Sequence, residues 1–294
     1  MRKPSFPNPT GQVLAGFLIL STVGCEHFGS RVTDGVLITD SMGLSAGDLA
    51  GPGSQAVVSE RIEVDLRGES LEVVLYQPVK TKTPLPAVVF LPGLMATDDQ
   101  YESYARDLAS RGFVVAVRGW YSPLLSDIEL ARDASFIAEW LVLTGKADPG
   151  RIGVTGHSMG GKDAVLSALQ DDRFAAVVAI DPDDYGTPSV AEGPISQLRA
   201  PLLLIGAELG WQAATICAPK ETNYQRFFES APTGTIELTL RDADHVQMLD
   251  DPDRFGYSIC RSGTADSRQV RVTARRAVVG FFVQQVDFRS GLLL

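Results

Sequence analysis

An alternation of short apolar runs with amphipathic segments is the feature of the sequence that most constrains its fold. The apolar runs, in chain order, are PAVVFLP, FVVAV, RIGVTG, AAVVAID, PLLLIGA and TIELTLRD. Helix-like segments separate or follow them at residues 98–111, 127–144, 158–170, 221–229 and 270–286. Apolar strands that alternate with helices are typical of a mostly parallel sheet covered by helices on both faces. The sequence therefore predicts an α/β fold.

The first two helical segments each carry apolar residues at helical spacing. These residues are Tyr101, Tyr104, Ala105 and Leu108 in the first segment, and Leu130, Ala134, Ile137 and Leu141 in the second. Residues with this spacing lie on one face of a helix. We interpret both faces as core surfaces and not as cofactor sites, and we expect neither a metal nor an organic cofactor.

Length and composition favour one catalytic domain. The chain has 294 residues, of which 45% are hydrophobic, and this is enough for a single large core. Residues 26–54 are rich in Gly, Ser and Asp and show weak periodicity, so we interpret them as a tether and irregular lead-in. The predicted organisation is an export signal at residues 1–25, the tether at 26–54 and the catalytic domain at 55–294.

The N-terminal residues have the pattern of an export signal. Arg2 and Lys3 provide positive charge, residues 13–23 form an apolar run, and a glycine precedes Cys25. The run is too short to span a bilayer comfortably, and a cysteine after a small residue resembles a bacterial lipobox, in which the thiol is lipidated. Thr22 stands where such motifs usually have leucine. We expect a cell-envelope lipoprotein or a periplasmic or secreted protein, the alternative to lipidation being an ordinary cleaved signal in which Cys25 is incidental.

The net charge limits which partners the protein can bind, and the cysteine content indicates the compartment in which it folds. The net charge is −10, so a nucleic acid would be repelled. A membrane partner is expected only through an N-terminal lipid anchor. Of the three cysteines, Cys217 and Cys260 lie in the part that must fold, and an even pair in an exported chain predicts a disulfide. Two separate buried thiols are the alternative.

The segment RIGVTGHSMGGKDAV fits two motifs at once. Residues 156–160 match G-x-S-x-G, whereas residues 156–162 match the phosphate-binding G-x-x-x-x-G-K. A phosphate-binding loop needs Ser or Thr after the lysine to hold magnesium, but Asp163 stands there. A strand, a sharp turn that carries serine and an immediate helix are instead what a hydrolase nucleophile requires. We therefore interpret Ser158 as a nucleophile on an α/β-hydrolase fold.

A serine nucleophile needs a base and an oxyanion hole. We expect the base to be His245, because His27 lies in the tether and His157 is directed elsewhere by the turn. His245 also comes late enough in the chain for the order of catalytic residues in this fold. The oxyanion hole needs two backbone N–H groups. Met159, after the nucleophile, and Leu94, after the Pro-Gly turn of LPGLM, are the predicted donors.

Several segments of the chain resemble the chlorophyllase family of α/β-hydrolases. GHSMGGK resembles the family's GHSRGGK, AIDPDD its IDPV, CAPKETNYQRFF its CAPKGVNH, and RDADHVQMLDD its KDYGHMDMLDD, with the family's histidine falling on His245. Met159 replaces the family's arginine, and Pro92 replaces its histidine before the oxyanion glycine. Both departures are features of cutinase-like polyester hydrolases. The resemblance implies ester hydrolysis and leaves the identity of the ester open.

The resemblance also implies which carboxylate orients the histidine base. Chlorophyllases, and similarly the platelet-activating-factor acetylhydrolases, place their acid at the end of the strand that here reads AAVVAID, which is Asp181. Cutinase-like enzymes place it one strand later, at the position of Gly210, where this chain has no aspartate. Glu208 is the alternative acid, and Asp183 and Asp184 are expected to be solvated.

The sequence thus predicts an exported serine carboxylesterase that hydrolyses esters with apolar acyl or alcohol groups through an acyl-enzyme. Its partner is a small-molecule or polymeric ester, and a cutinase-like polyester or lipid-ester hydrolase is the alternative. The candidates for an apolar substrate pocket are Met95, Trp120, Tyr121 and Met248, for each of which core packing is the alternative role. A function of another class is also open, in which a catalytically inactive lipoprotein binds a surface through a hydrolase scaffold.

Overall fold

The computed structural model describes residues 30–32, 51–66, 68–80, 82, 84–119, 124–213 and 217–287. Within them lie the strands β1 (Ser30–Val32), β2 (Val57–Leu66), β3 (Glu69–Pro78), β4 (Leu85–Leu91), β5 (Val114–Arg118), β6 (Ala147–His157), β7 (Phe174–Ile180), β8 (Leu202–Ala207) and β9 (Ile236–Leu240). The strands form one sheet in the order β1-β9-β8-β7-β6-β4-β5-β3-β2.

Parallel pairing dominates this sheet. β3 pairs antiparallel with β2 and with β5, whereas every other neighbouring pair runs parallel. The central strands β4, β7 and β8 are buried along nearly their whole length, as their apolar sequences require. The prediction of an α/β fold with a mostly parallel sheet is confirmed.

Helices cover both faces of the sheet. They are α1 (Glu102–Ser110), α2 (Asp127–Leu143), α3 (Met159–Gln170), the single turn α4 (Gly210–Ala213), α5 (Tyr224–Ser230) and α6 (Ser267–Phe282), and a π-helical turn at Val283–Asp287 extends α6. One core cluster packs α1 and α6 against the sheet, and the other packs α2, α3 and α5 against the opposite face. The predicted apolar residues of both segments lie in these two clusters, except Leu130, which is buried.

Side-chain caps fix several helix starts. Ser126 and Glu129 form a capping box at the start of α2, with the Ser126 hydroxyl accepting from the Glu129 amide (3.3 Å) and the Glu129 carboxylate accepting from the Ser126 amide (2.8 Å). The Asp266 carboxylate accepts from the Gln269 amide (2.8 Å) at the start of α6. Asn223 caps α5, and this cap explains why the helix begins at Tyr224 and not at residue 221 as the sequence predicted.

Two parts of the sheet lie outside the predicted strand pattern. The β2–β3 hairpin was not predicted, because β2 reads VVSERIEVDL, in which polar residues interrupt the apolar ones as they do in an edge strand exposed to water. The short strand β1 lies within the segment interpreted as a tether and pairs with β9. In the part of the chain that the structure describes, no helix has both the length and the apolar character needed to cross a bilayer.

The carboxyl ends of the parallel strands meet at one edge of the sheet. The segments that follow β4, β6, β7 and β9 carry Gly93, Ser158, Asp181 and His245 respectively. In open parallel sheets this edge is where ligands bind, because the loops that leave it converge there. The topology therefore brings together residues that are far apart in the sequence.

Candidate active site

A strained turn between β6 and α3 carries Ser158. Its backbone angles are φ 58° and ψ −126°, a conformation that residues other than glycine rarely adopt. A Cβ on Gly156 would lie 2.1 Å from the Gly160 carbonyl oxygen, and a Cβ on Gly160 would lie 2.3 Å from the Leu91 carbonyl oxygen. Both obstacles are backbone atoms, so only glycine fits at either position. The structure thus has the strand, sharp turn and helix that the G-x-S-x-G motif requires.

Backbone hydrogen bonds fix Ser158 at the edge of the sheet. Its amide donates to the Ile180 carbonyl (3.0 Å), and its carbonyl accepts from the Asp183 amide (3.2 Å), so the turn is tied to the end of β7. The residue lies at the N-terminus of α3, where the helix dipole favours negative charge. Among the described residues the Ser158 hydroxyl has no hydrogen-bond partner, so it is not occupied by an internal contact.

His245 and Asp181 form a buried pair. The Nδ1 atom of His245 lies 2.6 Å from Oδ2 of Asp181, and both side chains are almost fully shielded from solvent. The other oxygen, Oδ1, accepts a hydrogen bond from the Ala207 amide (2.9 Å). Because both carboxylate oxygens are held, the orientation of the carboxylate is fixed. The pair has the geometry of the base and orienting acid of a serine triad.

Opposing effects act on the pKa of His245. Burial lowers the pKa of the imidazole, but the hydrogen bond to Asp181 raises it, and so do the charges of Asp181, Asp183 and Asp244. The net shift is upward. The surroundings therefore favour the protonated imidazolium, which is the form that a general base takes while it holds a proton from the nucleophile.

The loop after β4 lies against the nucleophile turn. A Cβ on Gly93 would lie 3.1 Å from Cβ of Ser158, so the two segments are nearly in backbone contact. Within the described residues, the amides of Leu94 and Met159 donate to no protein acceptor. Two free amides on either side of a nucleophile are the arrangement that an oxyanion hole needs.

The lysine of the phosphate-binding motif is part of a buried ion pair. Nζ of Lys162 lies 2.6 Å from Oδ2 of Asp127 and 2.9 Å from the Tyr185 carbonyl oxygen, and the side chain has no solvent exposure. Asp163, the residue after this lysine in the motif, is also buried. Burial, and then the nearby charge of Asp127, raise the pKa of Asp163 well above its usual range. A lysine bound in this way cannot reach a nucleotide phosphate without breaking the ion pair, so the geometry favours the hydrolase interpretation.

Glu208, the alternative acid, lies away from the histidine. Its side chain is exposed, and Oε2 accepts a hydrogen bond from the Asp242 amide (2.9 Å). A Cβ on Gly210 would instead lie 3.1 Å from Oδ2 of Asp181 and 3.8 Å from Cβ of His245. The two acid positions of the resembled families therefore converge on the same histidine, and this chain has its carboxylate at Asp181.

The expectation that Asp183 and Asp184 are solvated was wrong. Both side chains are buried. Asp183 accepts a hydrogen bond from the Thr222 hydroxyl (2.5 Å), and Asp184 accepts from the Ser189 hydroxyl (2.6 Å) and from the amides of residues 190 and 191. The partner of Asp183 comes from a segment distant in sequence, and the partners of Asp184 come from a later part of the same loop, so a run of polar residues after a strand did not reveal their burial.

The candidates for an apolar pocket are placed very differently. Met95 is 76% exposed on the oxyanion loop, whereas Met248 is 1% exposed and lies in the core cluster beneath α1 and α6. Core packing, the alternative role, is therefore the role that the structure supports for Met248. Trp120 and Tyr121 lie outside the described residues, as does Cys25.

Two residues beside the site have contacts that sequence reasoning missed. The ring of His157 was expected to be directed elsewhere, yet its centroid lies 4.6 Å from that of His245, and its Nε2 lies 2.9 Å from the His245 carbonyl oxygen. The hydroxyl of Tyr101, interpreted only as a core residue, lies 3.1 Å from Nδ1 of His157. A tyrosine at a core position carries no sequence signal for the partner of its hydroxyl.

Asp244 and a disulfide hold the turn that carries His245. Asp244 is fully buried, and its Oδ2 accepts from the amides of Ser262 (3.0 Å) and Gly263 (2.8 Å). These two residues follow Cys260, which forms the predicted disulfide with Cys217. The Asp244 carboxylate therefore attaches the histidine turn to the disulfide-linked segment, and the amides of Thr264 and Ala265, which donate to the Asp242 carbonyl, attach it further along.

Comparison with known proteins finds similarity to chlorophyllases and cutinases. The chain is 26% identical over 228 residues to chlorophyllase type 0 of Chenopodium album, and the match covers 67% of this chain and 65% of that protein. It is 29% identical over 179 residues to cutinase 2 of Thermobifida cellulosilytica, covering 58% of this chain and 64% of that one. It is 28% identical over 180 residues to a bis(hydroxyethyl) terephthalate hydrolase of Streptomyces coelicolor, covering 58% of this chain and 54% of that one.

The matched segment spans less than two thirds of the length of each of these three relatives. A model of the family described as Chlorophyllase matches residues 51–290, which is most of the chain and includes every residue of the site. The chain therefore belongs to the chlorophyllase family of α/β-hydrolases.

Proposed function

We propose that the protein is a serine carboxylesterase that hydrolyses esters with apolar acyl or alcohol groups. The observation that carries the proposal is the convergence of Ser158, on a strained turn, with the His245–Asp181 pair at one edge of the sheet. The named relatives, chlorophyllases and cutinases, support ester hydrolysis as the reaction class. Family membership and geometry thus favour an enzyme over an inactive surface-binding protein.

The proposed reaction has two halves. In the first, Oγ of Ser158 attacks the ester carbonyl carbon while Nε2 of His245 takes the hydroxyl proton, because Nδ1 is held by Asp181. The carbonyl oxygen becomes an oxyanion that accepts from the amides of Leu94 and Met159. The intermediate collapses, the alcohol leaves with the proton from His245, and the acyl group stays on Ser158. In the second half a water molecule, activated by His245, releases the acid and restores the serine.

Exposed apolar side chains at this edge of the sheet support an apolar substrate. Leu94 is 41% and Met95 is 76% exposed on the loop after β4, Trp211 is 43% exposed after β8, and Tyr185 is 69% exposed after β7. All four follow the carboxyl ends of strands, which is the edge that carries Ser158. Large exposed apolar side chains that share one edge favour recognition of an apolar group in water.

A cutinase-like polyester hydrolase is the second candidate function. Two observations favour it, namely Met159 and Pro92 at positions that differ from the chlorophyllase pattern, and relatives named as a cutinase and a terephthalate ester hydrolase. A phytyl ester of a porphyrin and an aromatic polyester both present an ester carbonyl beside apolar bulk. The two candidates therefore share one mechanism and differ in the shape of the substrate.

A hydrolysis panel tests the proposal. Purified protein is assayed on nitrophenyl esters of increasing acyl length, on chlorophyll and on a polyester film. We expect turnover of short and medium acyl chains. Release of chlorophyllide selects the first candidate, and release of soluble products from the film selects the second. If none of these esters is hydrolysed, the proposal that the protein is an ester hydrolase is wrong.

Two matched serine variants control the panel. Ser158→Ala removes the proposed nucleophile, whereas Ser167→Ala removes a buried hydroxyl within α3, the helix that follows Ser158. The Ser167 hydroxyl donates to the carbonyls of Asp163 (2.6 Å) and Ala131 (3.2 Å). We expect Ser158→Ala to lose essentially all activity and Ser167→Ala to retain it while losing stability. Equal activity in both variants would exclude Ser158 as the nucleophile.

Export is part of the same proposal. The apolar N-terminal run and Cys25 predict processing as a lipoprotein, and the disulfide between Cys217 and Cys260 supports an oxidising compartment. Metabolic labelling with a fatty acid in a bacterial host should label the wild type and not Cys25→Ser. Secretion without label would indicate an ordinary cleaved signal, and retention of unprocessed protein in the cytoplasm would contradict export.

A further inference from the structure

A chain of buried hydrogen bonds joins the oxyanion loop to the histidine turn. The Gly93 amide donates to the Tyr101 hydroxyl (3.0 Å), this hydroxyl lies 3.1 Å from Nδ1 of His157, and Nε2 of His157 lies 2.9 Å from the His245 carbonyl oxygen. Tyr101, His157 and His245 are each exposed over 5% or less of the residue surface. This series of hydrogen bonds begins in the segment that carries the proposed oxyanion donor Leu94 and ends in the segment that carries the proposed base His245.

The direction of each hydrogen bond follows from the chemistry of the groups. The His245 carbonyl can only accept, so Nε2 of His157 must carry a hydrogen. Burial, and then the proximity of His245, hold the pKa of His157 well below its usual range, so the ring is neutral and Nδ1 is an acceptor. Tyr101 therefore donates to His157 and accepts from Gly93. Each group in the chain has a partner of the opposite kind.

We propose that Tyr101 and His157 are positioning residues that couple the oxyanion loop to His245. The inference rests on the proposed serine mechanism. His157 lies between the two segments as a single rigid ring, which also lies against the ring of His245, with 4.6 Å between centroids and 33° between planes. Since His245 becomes positively charged during each half-reaction, the adjacent ring has to remain neutral. The bond from Tyr101 favours the neutral form because it occupies Nδ1 as an acceptor.

Packing at Gly93 makes the coupling tight. A Cβ on Gly93 would lie 3.1 Å from Nδ1 of His157 and 3.1 Å from the His157 carbonyl oxygen. A shift of the His157 ring would therefore displace the loop, and a shift of the loop would displace the ring. Because displacements on the order of 1 Å at a reacting centre can cost about a hundredfold in rate, we expect effects on kcat and not on substrate binding.

Tyr101→Phe removes the hydroxyl that links Gly93 to His157 in this chain of hydrogen bonds, and Tyr104→Phe is the matched control. Tyr104 is also a fully buried tyrosine, and its hydroxyl donates to the Met248 carbonyl (2.8 Å), so its removal leaves a comparable buried acceptor unsatisfied without touching the chain. We expect Tyr101→Phe to lower kcat about 10- to 100-fold with KM changed less than about threefold. Tyr104→Phe should lose stability and keep kcat within about threefold. Equal kcat in the two variants would overturn the proposal.

Non-additivity supplies a second test. Tyr101→Phe and His157→Gln interrupt the same chain, so the double variant should lose no more than about threefold in kcat beyond the worse single variant. The effects of Tyr101→Phe and Tyr104→Phe should multiply. If the losses from Tyr101→Phe and His157→Gln also multiply, the two residues act independently and the proposed coupling is wrong.

NMR of the imidazole nitrogens tests the proposal on the wild type, so the result does not depend on whether a variant folds. We expect His157 as the neutral Nε2–H tautomer throughout pH 6 to 9, while His245 titrates. Within the part of the chain that the structure describes, the ionisable side chains in contact with His157 are Tyr101 and His245. An Nδ1–H tautomer, or protonation of His157 in this range, would overturn the inference even if the enzyme is active. Absence of ester turnover with the expected tautomer would instead refute the proposed function alone.

Discussion

Oδ2 of Asp181 lies 2.6 Å from Nδ1 of His245, although the two residues follow different strands and are far apart in sequence. The second oxygen of the carboxylate is held by the Ala207 amide at 2.9 Å. A carboxylate fixed in this way holds the imidazole in one tautomer and stabilises its protonated form. The identity of the acid is therefore a direct consequence of which strand end reaches the histidine.

Substitution of Asp181 and of Glu208 should show which of the two carboxylates orients His245. We expect Asp181→Asn to lose on the order of 10²–10⁴ in kcat because the amide favours the wrong histidine tautomer. Glu208→Gln should lose less than about tenfold, since the Glu208 side chain is exposed and, among the described residues, accepts from the Asp242 amide alone. Steady-state kinetics and circular dichroism on both variants make the comparison. The opposite ranking would assign the acid to Glu208.

Activity should depend on pH through His245. The base must be neutral to accept the serine proton, so kcat/KM falls as pH decreases through the pKa of His245. The surroundings raise this pKa above the ordinary value of 6.5, so the acid limb should have its midpoint above that value. Asp181→Asn removes the largest raising effect and should move the midpoint to lower pH. A midpoint below 6.5 in the wild type would contradict the described surroundings of the histidine.

Reduction of the disulfide should impair activity as well as stability. The disulfide joins Cys217 to Cys260, which are separated by 43 positions in the sequence. On the chain-entropy model, closing a loop of this length adds about 4 kcal/mol to the free energy of unfolding. The segment after Cys260 also holds Asp244, next to His245, through the amides of Ser262 and Gly263. We expect a lower kcat in Cys217→Ser/Cys260→Ser even well below its melting temperature.

Two controls separate the structural and catalytic effects of the disulfide. Thiol titration of the unfolded, unreduced wild type should find neither Cys217 nor Cys260 reactive. Asp244→Asn should lower kcat while leaving the disulfide intact, because it weakens the same attachment. A double cysteine variant with full kcat at low temperature would show that the bond contributes to stability alone.

The buried pair of Lys162 and Asp127 should be structural. Lys162→Met leaves the Asp127 carboxylate buried without its cation and should cost about 3–5 kcal/mol in the free energy of unfolding. Lys162→Met combined with Asp127→Leu should cost less than either single change, because the Asp127 charge is removed with its cation. Asp184, which lies 3.6 Å from Nζ of Lys162, keeps its hydrogen bonds to Ser189 and to the amides of residues 190 and 191. Urea unfolding measures all three variants. A nucleotide that stabilises the wild type and not Lys162→Met would instead support the phosphate-binding interpretation.

The sequence predicted the parts of the fold that follow from local pattern. Apolar runs specify the buried parallel strands, and the glycines around Ser158 specify a sharp turn, because both depend on neighbours in sequence. The β2–β3 hairpin was missed because its strands alternate polar and apolar residues at the edge of the sheet. The contacts of Tyr101 and His157 were missed because they join residues from three separate segments.

The burial of Asp183 and Asp184 shows the same limit. A carboxylate after a strand is solvated unless the folded chain places donors around it. Here Thr222, distant in sequence, donates to Asp183, and residues 189–191 of the same loop donate to Asp184. Asp181 was assigned through the family resemblance, and its pairing with His245 depends on the order of β7, β8 and β9 in the sheet. Sequence spacing alone does not contain that order.

Covalent labelling with a fluorophosphonate tests the central claim, that Ser158 is a nucleophile activated by His245, most directly. Intact-protein mass spectrometry should find one adduct per chain, peptide mapping should place it on Ser158, and Ser158→Ala should remain unlabelled. His245→Ala should label far more slowly, while Ser167→Ala labels at the wild-type rate. A wild type that stays unlabelled, or an adduct on a residue other than Ser158, would contradict the account.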